Sequence, residues 1–315
     1  MLIPNSGRRD KLRSAFVTLF LIANLFRVSV SAGQSAEPFH LSAVRLEQSD
    51  FFNAQQKDLE YILALDVDRL LVPFLREAGI TTNTQSYGNW EGTGLDGHIG
   101  GHYLSALSLM HASTGDDEVK RRLDYMVAQL AKCQQMNRDG YVGGVPGGKQ
   151  IWDEIRGGEI RADNFSLNGK WVPLYNIHKL YAGLYDAFTI GKNQQARSVF
   201  VSLCDWFYNL TSSFTDRQFQ AMLRSEHGGL NEVFAQAAEL TSDKKFLDLA
   251  KKMSHQKILR PLTARRDSLT GLHANTQIPK VIGFKKIADV SGDSSWAGAA
   301  KYFWETVVDN RSVSI

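Results

Sequence analysis

Residues 88–105 read Gly-Asn-Trp-Glu-Gly-Thr-Gly-Leu-Asp-Gly-His-Ile-Gly-Gly-His-Tyr-Leu-Ser, and chemically capable groups are concentrated there. Trp90, Glu91, Asp96 and His98 bring an aromatic face, two carboxyls and an imidazole into a glycine-dense loop that runs into an apolar helix. Glycine lets backbone and polar groups come close to a ligand, and the helix start behind the loop offers unpaired N–H groups. A loop of this kind on a rigid scaffold is expected to face a ligand. Glu91 and Asp96 form one candidate carboxyl pair for work at a glycosidic bond, and Asp153 and Glu154 form another.

The elements that would position these groups repeat. His98 or His102 leads a helix over Gly101–Ser113, closed by Thr114-Gly115-Asp116-Asp117 before a second helix over Glu118–Gln135. His178 leads an apolar run closed at Ile190-Gly191-Lys192-Asn193 before Gln195–Leu210. His227-Gly228-Gly229 opens a run to Leu240, closed by Thr241-Ser242-Asp243 before Phe246–Met253. Gly271-Leu272-His273 opens Ile278–Val290, closed by Ser291-Gly292-Asp293 before Trp296–Val308. Each unit reads as a helical hairpin with an apolar inner and an amphipathic outer helix, and such hairpins stack side by side. The expected fold is all-α, an α/α toroid in which the loops before the inner helices gather at one mouth. There His98 or His102, His178, His227 and His273 would meet.

Upstream, Ala36–Phe52 reads as extended and Gln55–Gly79 as one helix. The insertion Asn137–Trp171 is glycine-rich and is expected at the same mouth as a binding loop. Trp90, Trp152, Trp171, Tyr141 and Tyr175 would then supply aromatic faces for the C–H surfaces of a sugar, with Asp, Glu, Asn and His for its hydroxyls.

Composition narrows the partners. The formal charge of +3 is spread over 36 basic and 33 acidic residues without a long basic run, which argues against nucleic acid. Arg8, Arg9, Lys11 and Arg13 precede the apolar stretch Ala15–Phe26 and the small residues Val30-Ser31-Ala32. That order is a secretory signal peptide over residues 1–32, with export to the periplasm or medium and a mature start near Gly33. The apolar stretch is short for a membrane span. Cys133 and Cys204, both within amphipathic helical patterns, read as buried thiols or as a pair formed after export, and two cysteines alone make no zinc cage. Neither a phosphate-binding loop, a dinucleotide fingerprint, a His-Glu-x-x-His helix nor a nucleophile elbow is present.

Several long motifs resemble the β-L-arabinofuranosidases of glycoside hydrolase families 127 and 146. They are Gly88-Asn89-Trp90-Glu91, Leu95–Ala106, Val172–Lys179, Glu226–Glu232 and Gly271–Lys280. The resemblance implies an (α/α)6 barrel, a plant cell-wall oligosaccharide or polysaccharide as substrate, and removal of terminal L-arabinofuranose. It also implies that His178, His227 and His273 contact the sugar, with Trp90, Asp96 and His98 beside them. Zinc, held by cysteines and a glutamate, is expected in a complete family member. No residue here matches those ligands, so no metal site and no catalytic residue is carried over.

About nine long helices are legible where six hairpins need twelve. The reading is therefore an incomplete (α/α)6 barrel over residues 33–315, the N-terminal portion of a catalytic domain, with apolar surface left exposed at its C-terminal end. Two alternatives stand beside it: another α/α-toroid carbohydrate enzyme, such as an unsaturated-uronyl hydrolase or a lyase, and a non-catalytic carbohydrate-binding remnant.

Overall fold

The computed structural model describes residues 38–313, so the leader expected over residues 1–32 lies outside the described residues. The compact unit beginning at Leu41 is helical, with one two-stranded hairpin. Its helices are α1 (Asp50–Ala64), α2 (Val67–Glu77), α3 (His98–Thr114), α4 (Asp117–Asn137), α5 (Gly148–Arg156), α6 (Pro173–Thr189) and α7 (Gln194–Leu210). They continue with α8 (Asp216–Met222), α9 (Leu230–Thr241), α10 (Lys244–Lys252), α11 (Gln256–Thr263), α12 (Ala274–Ser291) and α13 (Ser294–Asn310).

The four predicted hairpins are α3–α4, α6–α7, α9–α10 and α12–α13, and they are joined by one local device. A residue in the left-handed region, Gly115, Lys192, Ser242 or Gly292, reverses the chain. The next residue, Asp116, Asn193, Asp243 or Asp293, caps the following helix by accepting an N–H in its first turn. Each cap contributes about 1 kcal/mol. The inner helices α3, α6, α9 and α12 pack in that order and form an arc of an α/α toroid, with α4, α7 and α10 behind them. Leu104, Leu107, Leu180, Leu184, Phe234 and Phe284 of the inner row are fully buried or nearly so. Ile278 and Ile282 on α12, and Trp304 and Val308 on α13, stand exposed.

Three readings need correction. The helix expected over Gln55–Gly79 breaks at Leu65, whose backbone is extended, and Asp66 starts α2 by accepting the Asp68 N–H. Arg122 then takes the freed carbonyls of Leu63 and Leu65 at 2.7 and 2.9 Å. The segment expected to be extended through Phe52 holds a 3-10 turn at Leu41–Ala43, and α1 starts at Asp50 because Ser49 caps it. Third, the insertion is partly ordered core: it carries α5 and the hairpin β1 (Ser166–Leu167) and β2 (Lys170–Trp171). Tyr141 and Trp152 are buried against Trp206, with ring centroids 4.7 and 5.5 Å away, and do not line the mouth.

Candidate functional site

The loop before α3 is organised by its own carboxylates. Glu91, on a 3-10 turn at Asn89–Gly92, is buried and accepts the backbone N–H of Gly97 at 2.8 Å and of Ile99 at 3.1 Å. A carboxylate at a helix N-terminus satisfies orphan donors and meets the positive end of the dipole. Asp96, also buried, accepts Arg76 Nη1 at 3.1 Å and the Gly94 N–H at 2.9 Å. Both carboxylates therefore hold the loop in shape and do not form the acid/base pair suggested by their spacing. Asp153 and Glu154 form no such pair either, being surface partners of Arg156 and Arg161.

Behind this scaffold runs a row of imidazoles. His98 Nδ1 lies 2.7 Å from the Leu95 carbonyl and 2.8 Å from Glu91 Oε1. Both neighbours are acceptors, so Nδ1 carries a proton. The His98 ring stands 6.1 Å from Trp90, which is 60% exposed, and 6.1 Å from His102. Next along the row, His178 sits in the second turn of α6, its ring pressed against Gly228 and Gly229. A Cβ on Gly228 would lie 2.5 Å from Nδ1, and the Gly228 φ of +57° is itself a glycine conformation. His227 follows, donating Nδ1–H to the Ser225 carbonyl at 2.9 Å, with its ring 5.7 Å from His255.

Burial keeps four rings of this region neutral. It pulls His102 down to about 4, helped by Lys179 and His98, and His178 down to about 3, helped by Lys179 and His102. His255 falls to about 4 through burial and then Lys280, and His227 falls well below the ordinary range for the same two reasons. A neutral imidazole has one donor and one acceptor, the complement of a hydroxyl. His178 Nδ1, His227 Nε2, Ser225 Oγ and Asn231 Oδ1 are buried polar atoms with no partner, and they cluster around the Ser225–Asn231 loop and the ring packed on it. Leaving such atoms unpaired costs about 1–3 kcal/mol each, which marks this stretch as the polar centre of the row.

The row ends in a small polar cavity of about 190 Å³, lined among others by Ser225, Glu226, His255, His273, Gln277 and Lys280. His273, the N-cap residue of α12, is exposed and makes no side-chain cap; its charge bears on Glu226. Lys280 Nζ lies 3.4 Å from His255 Nδ1 and donates to Gln277 Oε1 at 3.1 Å, and burial lowers its ammonium to about 8. Burial raises the Glu226 carboxyl, opposed by His273, Lys280 and Lys179.

Trp90, His98, His178, His227 and His273 thus come to one end of the inner helices, with Asp96 in the scaffold behind them. Trp171 borders the exposed side of Trp90, in a groove shared with Tyr61 and Tyr87. His255, Glu226 and Lys280 were not singled out by the sequence reading. The Glu226-His227 and Lys280 motifs held the only signal for two of them, whereas His255 reaches the row purely through tertiary packing. Among the described residues no three His, Cys, Asp or Glu side chains converge as metal ligands. Cys133 and Cys204 are free and buried, their thiols pushed upward by burial. The described residues therefore do not fit the zinc centre expected of a complete family member.

The model of the β-L-arabinofuranosidase GH127 catalytic domain matches residues 43–315. The chain belongs to this GH127 family. Among solved structures it is similar to a GH127 β-arabinofuranosidase at 15% identity and a TM-score of 0.53, covering 86% of this chain and 43% of that one. It is also similar to a GH127 β-L-arabinofuranosidase from Geobacillus stearothermophilus, at 14% identity and a TM-score of 0.49, covering 82% and 42%. The first of these likenesses supports the α/α toroid fold, and this chain spans under half the length of both proteins. No curated protein matches the sequence. Among the described residues no helix is long and apolar enough to cross a membrane.

Proposed function

We propose that this chain forms the sugar-recognising part of an exported glycoside hydrolase that releases terminal β-L-arabinofuranose from plant cell-wall glycans. The observation that carries the reading is the pair of buried, neutral histidines His178 and His227, each with one ring nitrogen that has no partner among the described residues, beside the Glu226–His273 cavity. His227 Nε2, fixed as an acceptor by the Nδ1–H bond to the Ser225 carbonyl, accepts a hydrogen bond from a sugar hydroxyl. His178 and His273 supply further hydroxyl contacts, and Trp90 covers a C–H face of the ring. Asp96 acts behind the site, holding the loop through Arg76 and Gly94.

Hydrolysis of this bond needs a nucleophile or activated water and an acid, and the carboxyl pairs suggested by the sequence are spent on structural contacts. Export rests on the basic, apolar and small-residue order of residues 1–32. Zinc, in a complete family member, would be held by residues other than those described here. The test is titration of the chain with methyl β-L-arabinofuranoside, followed by ligand-observed NMR, for wild type and for His178→Ala and His273→Ala. Saturable binding lost in both variants supports the reading; binding equal in all three proteins, or none in any, sinks it.

A further inference from the structure

A cavity of about 860 Å³ lies away from the histidine row, in the angle where α8 and α11 meet the C-terminal end of α7 and the exposed face of α10. Helix α10 carries Lys244, Lys245, Lys251 and Lys252. Seven residues are nearly two helical turns, so Lys244 and Lys251, like Lys245 and Lys252, repeat on one face at about 10 Å along the axis. Arg217 of α8 and Arg260 of α11 complete the rim. Lys245 is compensated by Asp205 and Asp243, both at 3.0 Å. Among the described residues the other five cations have no carboxylate within salt-bridge distance; Lys251 is offset at longer range by Asp293, and Lys252 lies over the Phe219 ring. Asp216 and Asp248 are the acids in the lining, so a clear positive excess remains.

We infer that this groove binds an acidic polysaccharide, a uronate-containing chain, at a site separate from the arabinofuranose mouth. A cleft lined by one sign of charge raises the local concentration of oppositely charged partners. The lining also favours a glycan among polyanions. The groove carries the amides of Gln220 and Gln256, the Ser212 hydroxyl, whose proton goes to the Asn209 carbonyl and whose oxygen can still accept, and the Tyr208 ring, 36% exposed. Two carboxylates between the cations suit a ligand whose charges are separated by hydroxyl-bearing rings and oppose one with a charge on every phosphate. Gln220 is held by the Gln256 N–H at 2.8 Å and donates to the Ser254 carbonyl at 3.2 Å, which fixes the floor of the groove. The inference rests on the reading of the chain as a glycan-acting protein only for the choice of a glycan as the polyanion. The groove would hold the enzyme on acidic wall polymer while the mouth takes a neutral side-chain sugar.

The experiment is titration of the full chain with oligogalacturonate at low ionic strength, repeated at higher salt. The variant carries Lys244→Gln and Lys252→Gln, both exposed positions, and a charge-matched control carries Lys132→Gln and Lys149→Gln. The expected result is saturable binding that weakens about tenfold in the groove variant and falls steeply with salt, with little change in the control. Neutral arabinan should not compete, and His178→Ala should leave this binding intact even where it abolishes arabinofuranoside binding. No binding, equal loss in variant and control, or tighter binding of a short DNA duplex than of oligogalacturonate would overturn the inference. Loss of arabinofuranoside binding alone would count against the mouth and not against the groove.

Discussion

Gly101 of α3 and Gly183 of α6 meet backbone to backbone: a Cβ on Gly183 would lie 2.3 Å from the Gly101 carbonyl oxygen, and one on Gly101 would lie 2.3 Å from the Lys179 carbonyl. The α3 and α6 backbones touch here, one turn beyond His98 in α3 and just over one turn beyond His178 in α6, and that approach limits how far apart the two histidines can stand. A methyl group at Gly101 meets only the α6 backbone, and one at Gly183 meets the Gly101 backbone and the Leu104 Cβ, none of which can swing away. Gly183→Ala should therefore cost about 2–4 kcal/mol despite the better helix propensity of alanine, read as a lower urea midpoint. A neutral or stabilising result would mean that the two helices are farther apart than described.

Glu91 supports a second prediction. Its two oxygens serve Gly97, Ile99 and His98, and an amide in its place would turn one acceptor into a donor facing a donor. Glu91→Gln should destabilise the chain by about 1–3 kcal/mol and weaken sugar binding by loosening His98, although Glu91 itself is buried. Unchanged urea stability would show that the loop is held by other contacts.

Local chemistry made much of this architecture legible. The turns at Gly115, Lys192, Ser242 and Gly292 need only a left-handed residue followed by Asp or Asn, and both signals lie within a few positions of each other. Tertiary partners were not legible in the same way. Tyr141 and Trp152 look like sugar platforms in a glycine-rich insertion until Trp206, more than fifty residues on, is found covering both. The glycines at 100 and 101 suggested close approach of a ligand, yet Gly100 faces Phe74 and Gly101 faces α6. His255 was overlooked because it caps a short helix in an unremarkable stretch and reaches His227 only through folding.

The buried histidines fix the sign of the pH dependence. His102, His178 and His255 lie near 4, 3 and 4 against an ordinary 6.5, and His227 is also depressed. A depressed histidine binds its proton more readily in the unfolded chain. Its contribution is therefore complete above about pH 6.5 and is lost as pH falls towards the folded value, at about 1.4 kcal/mol per pH unit for each group. Burial raises Asp186, Glu226 and Glu232, and these carboxyls act in the opposite sense at the acid end. The readout is thus a difference: urea unfolding of wild type against His178→Gln should diverge with a shallower acid slope for the variant between pH 6.5 and 4. Parallel profiles would show that His178 titrates normally.

Trp90 and Trp171 give an optical test of the mouth. They are 60% and 39% exposed in a groove with Tyr61 and Tyr87, whereas Trp152 and Trp206 are buried in the core. Arabinofuranoside binding should change the tryptophan emission of wild type, and Trp90→Phe should remove most of that change while preserving some affinity through the remaining ring. A full signal in Trp90→Phe would place the sugar away from this groove.

The last prediction concerns metal. A zinc site normally takes three protein ligands besides the reacting group, with thiols deprotonated and histidines neutral. His102, His178, His227 and His255 are held neutral by burial, but among the described residues no three ligand-type side chains converge. Cys133 on α4 and Cys204 on α7 are buried, and burial raises both thiols, Cys133 to about 11, which disfavours the thiolate that metal binding requires. Purified chain should therefore contain well under one zinc per molecule after dialysis, and both cysteines should react slowly with a thiol reagent when native and rapidly in urea. Stoichiometric zinc that protects either thiol from the reagent would show that a ligand set forms which the buried positions of these two cysteines do not allow.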